Sequence, residues 1–66
     1  MEEKRELTFE EHLARMRDRL ANELKTLTDL KVKYPEHEYY IETINELLTE
    51  LIEGINEIIE EIISGL

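Results

Sequence analysis

The side chains that could carry out covalent chemistry are few and lie far apart in the sequence. The 66 residues include two histidines, His12 and His37, and one serine, Ser64, but no cysteine. A nucleophilic site needs a base close to the nucleophile, and neither histidine has such a neighbour in the sequence. Two isolated glycines cannot form a phosphate-binding loop. The sequence therefore predicts that the protein is not an enzyme.

Carboxylates are the abundant titratable groups, and in the second half of the chain they form a periodic row. Helical bundles hold metal pairs with Glu-x-x-His motifs, but the residues three positions before the two histidines are Phe9 and Tyr34. Two glutamates three residues apart, such as Glu50 and Glu53, could hold a metal ion, but this spacing occurs by chance in any Glu-rich helix. We therefore expect no metal site and no cofactor. The glutamates in question, called the acidic row below, are Glu42, Glu46, Glu50, Glu53, Glu57 and Glu60.

The acidic row has two interpretations. Most of its members fall opposite the apolar positions of the same segment, which predicts a solvated outer face. The alternative is a strip that docks on a basic protein groove and imitates the backbone of a nucleic acid. The formal net charge of −9 argues against direct binding to nucleic acid. A basic protein is the partner that the row would fit.

A second candidate binding region surrounds the single proline. Residues 31–40 contain all three tyrosines and one histidine. Tyrosine is enriched at the energetically important positions of interfaces, so Tyr34, His37 and Tyr39 are candidate binding residues. The alternative is that Tyr34 and Tyr40 close the end of the core and leave Tyr39 exposed. Both interpretations place this region at the end of the fold.

Length and hydropathy limit the class of protein. A chain of 66 residues forms at most one domain, so we expect residues 1–66 to be a single domain. Without cysteine there is no disulfide framework. The N-terminal residues are charged, and glutamate interrupts the most apolar stretch, 41–66, every few residues. We expect no secretory signal, no membrane partner and a cytoplasmic location.

The first half of the chain predicts an amphipathic helix from about residue 8 to about residue 31. Thr8 and Glu11 have the spacing of a capping box. Apolar residues recur in steps of three and four, interrupted at Glu23, where Leu24 is expected to replace the missing apolar contact. Pro35 forbids simple continuation, so a turn is expected at about 32–35. The apolar positions are Phe9, Leu13, Met16, Leu20, Leu27 and Leu30.

The second half predicts a longer and more apolar helix, from about residue 36 to about residue 64. Its apolar positions run unbroken from Ile41 to Ile62 in steps of three and four, and further Ile and Leu widen the stripe on both sides. Gly54 is expected to mark a close helix approach or a small pocket. One neighbouring helix cannot cover so wide a stripe. The residues expected to form the core of an oligomer are Ile44, Leu48, Leu51, Ile52, Ile55, Ile58, Ile59 and Ile62.

These features predict an all-α fold, an antiparallel two-helix hairpin that assembles as a homodimeric four-helix bundle. Ordering the chain costs on the order of 100 kcal/mol, at about 1.5 kcal/mol per residue, which a two-helix interface alone cannot offset. Two hairpins that pack their second helices together would bury the stripe, and a tetramer or larger assembly is the alternative. The arrangement resembles the Rop-type hairpin dimers of plasmid copy control. Because no motif is shared, the resemblance implies only the architecture.

Three functions are compatible with the sequence. The first is a small acidic homo-oligomer that regulates or inhibits a protein partner, as many phage and bacterial regulators do. The second is an oligomer that binds or sequesters a small ligand or nucleotide between its subunits. The third is a structural helical bundle, natural or designed, with no activity of its own. The sequence predicts protein binding as the leading function and identifies neither the partner nor the host.

Overall fold

The computed structural model describes residues 6–65 and consists of two helices joined by a tight turn. Helix α1 spans Phe9–Lys33, a 3₁₀-helical turn spans Pro35–His37, and helix α2 spans Glu38–Ser64. The helices run antiparallel, which confirms the predicted all-α hairpin. The predictions that concern the charged N-terminal residues 1–5 and the apolar Leu66 lie outside the described residues.

Helix α1 begins as predicted and ends two residues later than predicted. The Thr8 hydroxyl accepts a hydrogen bond from the Glu11 amide at 3.2 Å, and the Glu11 carboxylate accepts one from the Thr8 amide at 2.9 Å. This confirms the capping box. At the other end the helix continues to Lys33, because lysines in the last turn interact favourably with the negative end of the helix dipole.

The turn thus lies about two residues later than the approximate prediction of 32–35, and helix α2 begins about two residues after the predicted start near residue 36. Pro35 disfavours the helical conformation at the preceding residue, and Tyr34 accordingly has φ −128° and ψ 67°. The chain then forms one 3₁₀-helical turn, in which the His37 amide donates to the Tyr34 carbonyl at 3.0 Å. Helix α2 begins after this turn, at Glu38, and ends at Ser64 as predicted.

The core of the hairpin is a single seam between α1 and α2. Leu27 of α1 and Ile41, Ile55 and Ile59 of α2 are the buried apolar residues of the described chain. Leu24 is half-buried and Glu23 is exposed, as expected for the interruption in the α1 pattern. Further half-buried residues of the seam are Leu13, Leu20, Leu30, Leu48, Ile52 and Ile62.

Polar contacts between the helices lie on one side of this seam. The Arg17 guanidinium donates to Oδ1 of Asn56 at 2.9 Å, and Nζ of Lys31 donates to Oε2 of Glu42 at 2.8 Å. Both pairs join residues whose numbers add to 73 (17 and 56, 31 and 42). The register of the hairpin is thus the same near both ends: residues of α1 and α2 whose numbers have this sum lie side by side.

The hairpin is a single layer of helices. Its Cα atoms extend over no more than 10 Å along the shortest axis. Domains are built from at least two packed layers, because an amphipathic helix must bury its apolar stripe. The two broad faces of this layer are consequently open to solvent. In residues 6–65 no helix has the length and apolar composition required to span a bilayer.

Candidate interaction surfaces

One broad face of the hairpin is apolar. Along α2, exposed apolar side chains recur in steps of three or four residues, and they face the same side as exposed apolar residues of α1. Leu51 at the centre is 51% exposed, and Leu47 one turn away is 61% exposed. These side chains have no partner within the single layer. This surface, called the apolar face below, consists of Phe9, Met16, Tyr40, Ile44, Leu47, Leu51 and Ile58.

An open groove runs between the helices on the apolar face. It has a volume of about 290 Å³ and is lined by Met16, Leu20 and Leu51, with Arg19 and Glu23 on the α1 side. Small-molecule sites enclose 70–90% of a ligand's surface, roughly, whereas this groove is open towards solvent. The shape therefore fits a long apolar object such as a helix better than a small molecule.

The eight residues expected to form an oligomer core divide between two surfaces. Ile55 and Ile59 are buried against α1, and Leu48, Ile52 and Ile62 are half-buried in the same seam. The other three, Ile44, Leu51 and Ile58, lie on the apolar face. The wide stripe of α2 thus consists of two adjacent seams about a quarter turn apart. One packs against α1 within the hairpin, and the other is exposed.

Gly54 belongs to the outward seam, between Leu51 and Ile58. Apart from its two chain neighbours and the backbone of its own part of the helix, no atom of the described chain lies within 4 Å of the position that a Cβ atom would occupy at this residue. The expected close approach is therefore not made by the hairpin itself. A glycine inside a helix costs about 1 kcal/mol relative to alanine, and nothing inside the hairpin requires it.

The acidic row lies away from the apolar face, on the outer edge and the opposite face of α2. All six of its glutamates are exposed. Only Glu42 has a cationic partner among the described residues, Lys31, which also lies 3.5 Å from Glu38. No group of three metal-ligating side chains comes together in residues 6–65. The row is a continuous negative surface rather than a compact site.

The ion pair of Glu42 with Lys31 shifts the pKa values of both groups. The hydrogen bond donated by Lys31 lowers the pKa of the Glu42 carboxyl below its ordinary value near 4.5. The same hydrogen bond raises the pKa of the Lys31 ammonium above its ordinary value near 10.5. A carboxyl whose pKa is lowered by folding stabilises the fold above its unfolded pKa, and the effect is lost as pH falls through the folded pKa.

Replacing Glu42 with Gln is expected to lower Tm at neutral pH, and the difference from the wild type should disappear well below pH 4.5. The effect is small and is screened by salt, because both groups are solvent-exposed. Thermal unfolding followed by circular dichroism at several pH values measures it. Glu60→Gln, which removes the same charge from a residue without a cationic partner in the described chain, should not lower Tm. An equal decrease for Glu42→Gln at every pH would contradict the ion-pair explanation.

The aromatic residues of the turn form a surface cluster at one end of the hairpin. The ring of His37 lies 6.3 Å from that of Tyr34 and 6.4 Å from that of Tyr40, and Tyr39 packs edge-on against Tyr40 at 5.7 Å. Tyr39 is 76% exposed, and Tyr40 is also largely exposed. The structure thus brings the three candidate residues of this region close together. Tyr40, which one interpretation of the sequence placed with Tyr34 at the end of the core, lies on the apolar face.

Sequence reasoning missed the polar contact between Arg17 and Asn56. The only sequence feature that indicated this contact is the neutral polar Asn56 next to Ile55, in a helix that is mostly apolar and acidic. Asn56 is half-buried in the structure. The turn cluster and the acidic row were recognised, but the separation of α2 into two seams was not. No protein-family model matches the chain, and neither a curated protein nor a solved structure shows significant similarity to it.

Proposed function

We propose that the protein is a non-enzymatic interaction protein that works as a homo-oligomer, most simply a dimer. Its apolar face is covered by a second copy, and the part of its acidic row that lies opposite this face stays outside to bind a basic protein surface. The observation that carries the proposal is the arrangement of the single layer. It has an apolar face on one side and an acidic surface on the outer side, where only Glu42 of the acidic row has a cationic partner in residues 6–65.

The accessible area of the chain supports the covering of the apolar face. The chain exposes 5754 Å², whereas a compact monomer of 7.9 kDa exposes about 4,400 Å². The difference has the sign expected of a single layer whose apolar face has no second layer over it. The apolar patch of an ordinary monomer rarely exceeds a few hundred Å².

The charge distribution supports a role for the acidic row in binding. Residues 36–66 contain nine glutamates and no lysine or arginine. Clusters of one sign attract partners of the opposite sign and accelerate their association, most strongly at low salt. Glu53 and Glu60 lie on the face of α2 opposite the apolar face and remain exposed when that face is covered. They are the part of the row that a partner could reach in any such assembly.

Reversing the charge of this part of the row should abolish binding to a basic surface. A fluorescent arginine-rich peptide is the probe, and its anisotropy at low salt gives the affinity. The variant Glu53→Lys/Glu60→Lys is expected to bind at least about tenfold more weakly than the wild type, since close charge pairs at interfaces contribute more than about 1.4 kcal/mol in total.

A matched variant distinguishes an effect of the acidic row from an effect of the net charge. Asp29→Lys/Glu36→Lys changes the net charge by the same amount at exposed residues outside the acidic row. This control should lose much less affinity. Equal losses for the two variants would mean that only net charge matters and would refute a binding role for the row.

A further inference from the structure

We propose that the second copy covers the apolar face with its own α1 lying on α2, so that the two-fold axis of the dimer runs parallel to the helices. In this arrangement Arg15 and Arg19 of each copy pair with Glu57 and Glu50 of the other. The inference rests on the proposed function, because it specifies how the second copy is seated on the face.

Two symmetric arrangements can bury the apolar face of one hairpin against that of another. If the two-fold axis runs across the helices, α2 lies on α2 of the partner and α1 on α1 of the partner. If the axis runs along the helices, each α2 lies on α1 of the partner. Neighbouring helices are antiparallel in both cases, and both bury the same residues. The arrangements differ in which outer edges meet.

The outer edge of α2, on the side away from α1, is acidic. Its carboxylates lie about half a helical turn from the buried Ile41 and Ile55, and all are exposed. Within residues 6–65 none of them forms an ion pair. This acidic edge consists of Glu46, Glu50, Glu57 and Glu61.

The basic residues of α1 over the same part of the hairpin lie on the rim between its outer edge, which carries Asp18, and the apolar face, where Arg19 lines the groove. Arg15 and Arg19 are exposed, and neither has a hydrogen-bond or ion-pair partner in the described part of the chain. Arg17, between them in sequence, points to the other side and donates to Asn56. Arg15 and Arg19 thus carry charges that the hairpin itself leaves uncompensated.

The register of the hairpin places these charges at matching heights. Since residues whose numbers add to 73 lie side by side, Arg15 is level with residue 58 and Arg19 with Gly54. A two-fold axis along the helices preserves height, so the partner's acidic edge presents Glu57 beside Arg15. Glu50 lies about one turn, or roughly 5.4 Å, from the level of Arg19, which a long arginine side chain can span.

The other arrangement brings like charges together. With the axis across the helices, the acidic edges of the two copies would lie side by side, and so would the two rims that carry Arg15 and Arg19. Like charges that face each other oppose association, whereas complementary edges fix orientation and register. Gly54 leaves open space on α2 for a partner helix in either arrangement.

Charge reversal on one edge distinguishes the two arrangements by the sign of its effect. For Glu50→Arg/Glu57→Arg, dimer affinity measured by sedimentation at low salt should fall at least tenfold, because arginines would then face arginines. In the opposite arrangement the same variant relieves repulsion between acidic edges and tightens the dimer. Adding Arg15→Glu and Arg19→Glu restores complementary edges, and this fourfold variant should recover affinity to within about threefold. Glu53→Arg/Glu60→Arg is the matched control and should not weaken the dimer.

A distance measurement tests the axis directly. The chain has no cysteine, so Glu36→Cys carries a single spin label at the exposed turn. With the axis along the helices both turns lie at the same end of the bundle. The two labels are then less than about 25 Å apart, since packed helices are 8–10 Å apart, roughly, between axes. With the axis across the helices the turns lie at opposite ends, about 40 Å apart for a helix of this length.

The outcomes separate this inference from the proposed function. A dimer with a long inter-label distance, or one that is tightened by Glu50→Arg/Glu57→Arg, refutes the arrangement and leaves the homo-oligomer in place. A wild-type chain that is folded and monomeric at all concentrations refutes both. A short distance together with recovery in the fourfold variant supports the arrangement.

Discussion

Replacing Leu51 with Glu is expected to convert the assembled protein into monomers. Leu51 lies at the centre of the apolar face and lines the groove between the helices. In an assembly that covers this face, the new carboxylate would be removed from water in a largely apolar interface, which costs several kcal/mol. Because about 1.4 kcal/mol corresponds to a tenfold change, the dissociation constant should rise at least about 100-fold. Light scattering at low micromolar concentration, in low and high salt, measures the mass.

The matched control adds the same charge on the other side of the hairpin. Ala21 is exposed on the polar side of α1, next to Arg17 and Lys25 in the helix, so Ala21→Glu should leave the mass unchanged. Circular dichroism checks that both variants remain helical. If Leu51→Glu had the same mass as the wild type, the apolar face would not be the surface through which the copies associate.

Replacing Ile55 with Ala is expected to cause the largest loss of folding stability among single substitutions in the seam. Ile55 is only 6% exposed and is buried against α1. Truncating a buried isoleucine removes apolar contacts and leaves a cavity, at a cost of about 2–5 kcal/mol. That is a large share of the 5–15 kcal/mol, roughly, that stabilises a typical domain. Urea unfolding at fixed protein concentration gives the change in the free energy of unfolding.

Ile63→Ala is the control for this substitution. Ile63 lies in the same helix and is 55% exposed, so the same truncation removes few contacts. Its cost should stay below about 1 kcal/mol, as for most surface substitutions. Equal losses for the two variants would mean that Ile55 is not held in a tighter environment than Ile63, which would contradict the packing of the hairpin.

The substitutions at Ile55 and Leu51 test two different surfaces of α2. Ile55 belongs to the seam that holds the hairpin together, and Leu51 belongs to the seam that faces outward. Gly54 lies between them in sequence and has open space beside it. If the chain assembles as proposed, Ile55→Ala lowers stability at every protein concentration, while the effect of Leu51→Glu is greatest where the wild type is dimeric.

The sequence by itself determined the two helices, the start of α1 and the end of α2, and it located the turn to within about two residues. The capping box of Thr8 and Glu11 fixes the start of α1 through local hydrogen bonds, and Pro35 fixes the turn through the backbone of its neighbour. Such signals depend on residues within about one turn of each other, so they can be read without knowing the fold. The exposure of the acidic row also follows from the period of the helix alone.

Only the tertiary structure decided which side of α2 faces α1. Two adjacent seams of Ile and Leu both have the three-and-four spacing, so periodicity cannot choose between them. Ile55 and Ile59 are buried, whereas Leu51 and Ile58 are exposed, and the polar contact between Arg17 and Asn56 lies beside the buried seam. The choice depends on contacts between residues 39 positions apart in the chain, and the period of a single helix carries no information about its neighbour.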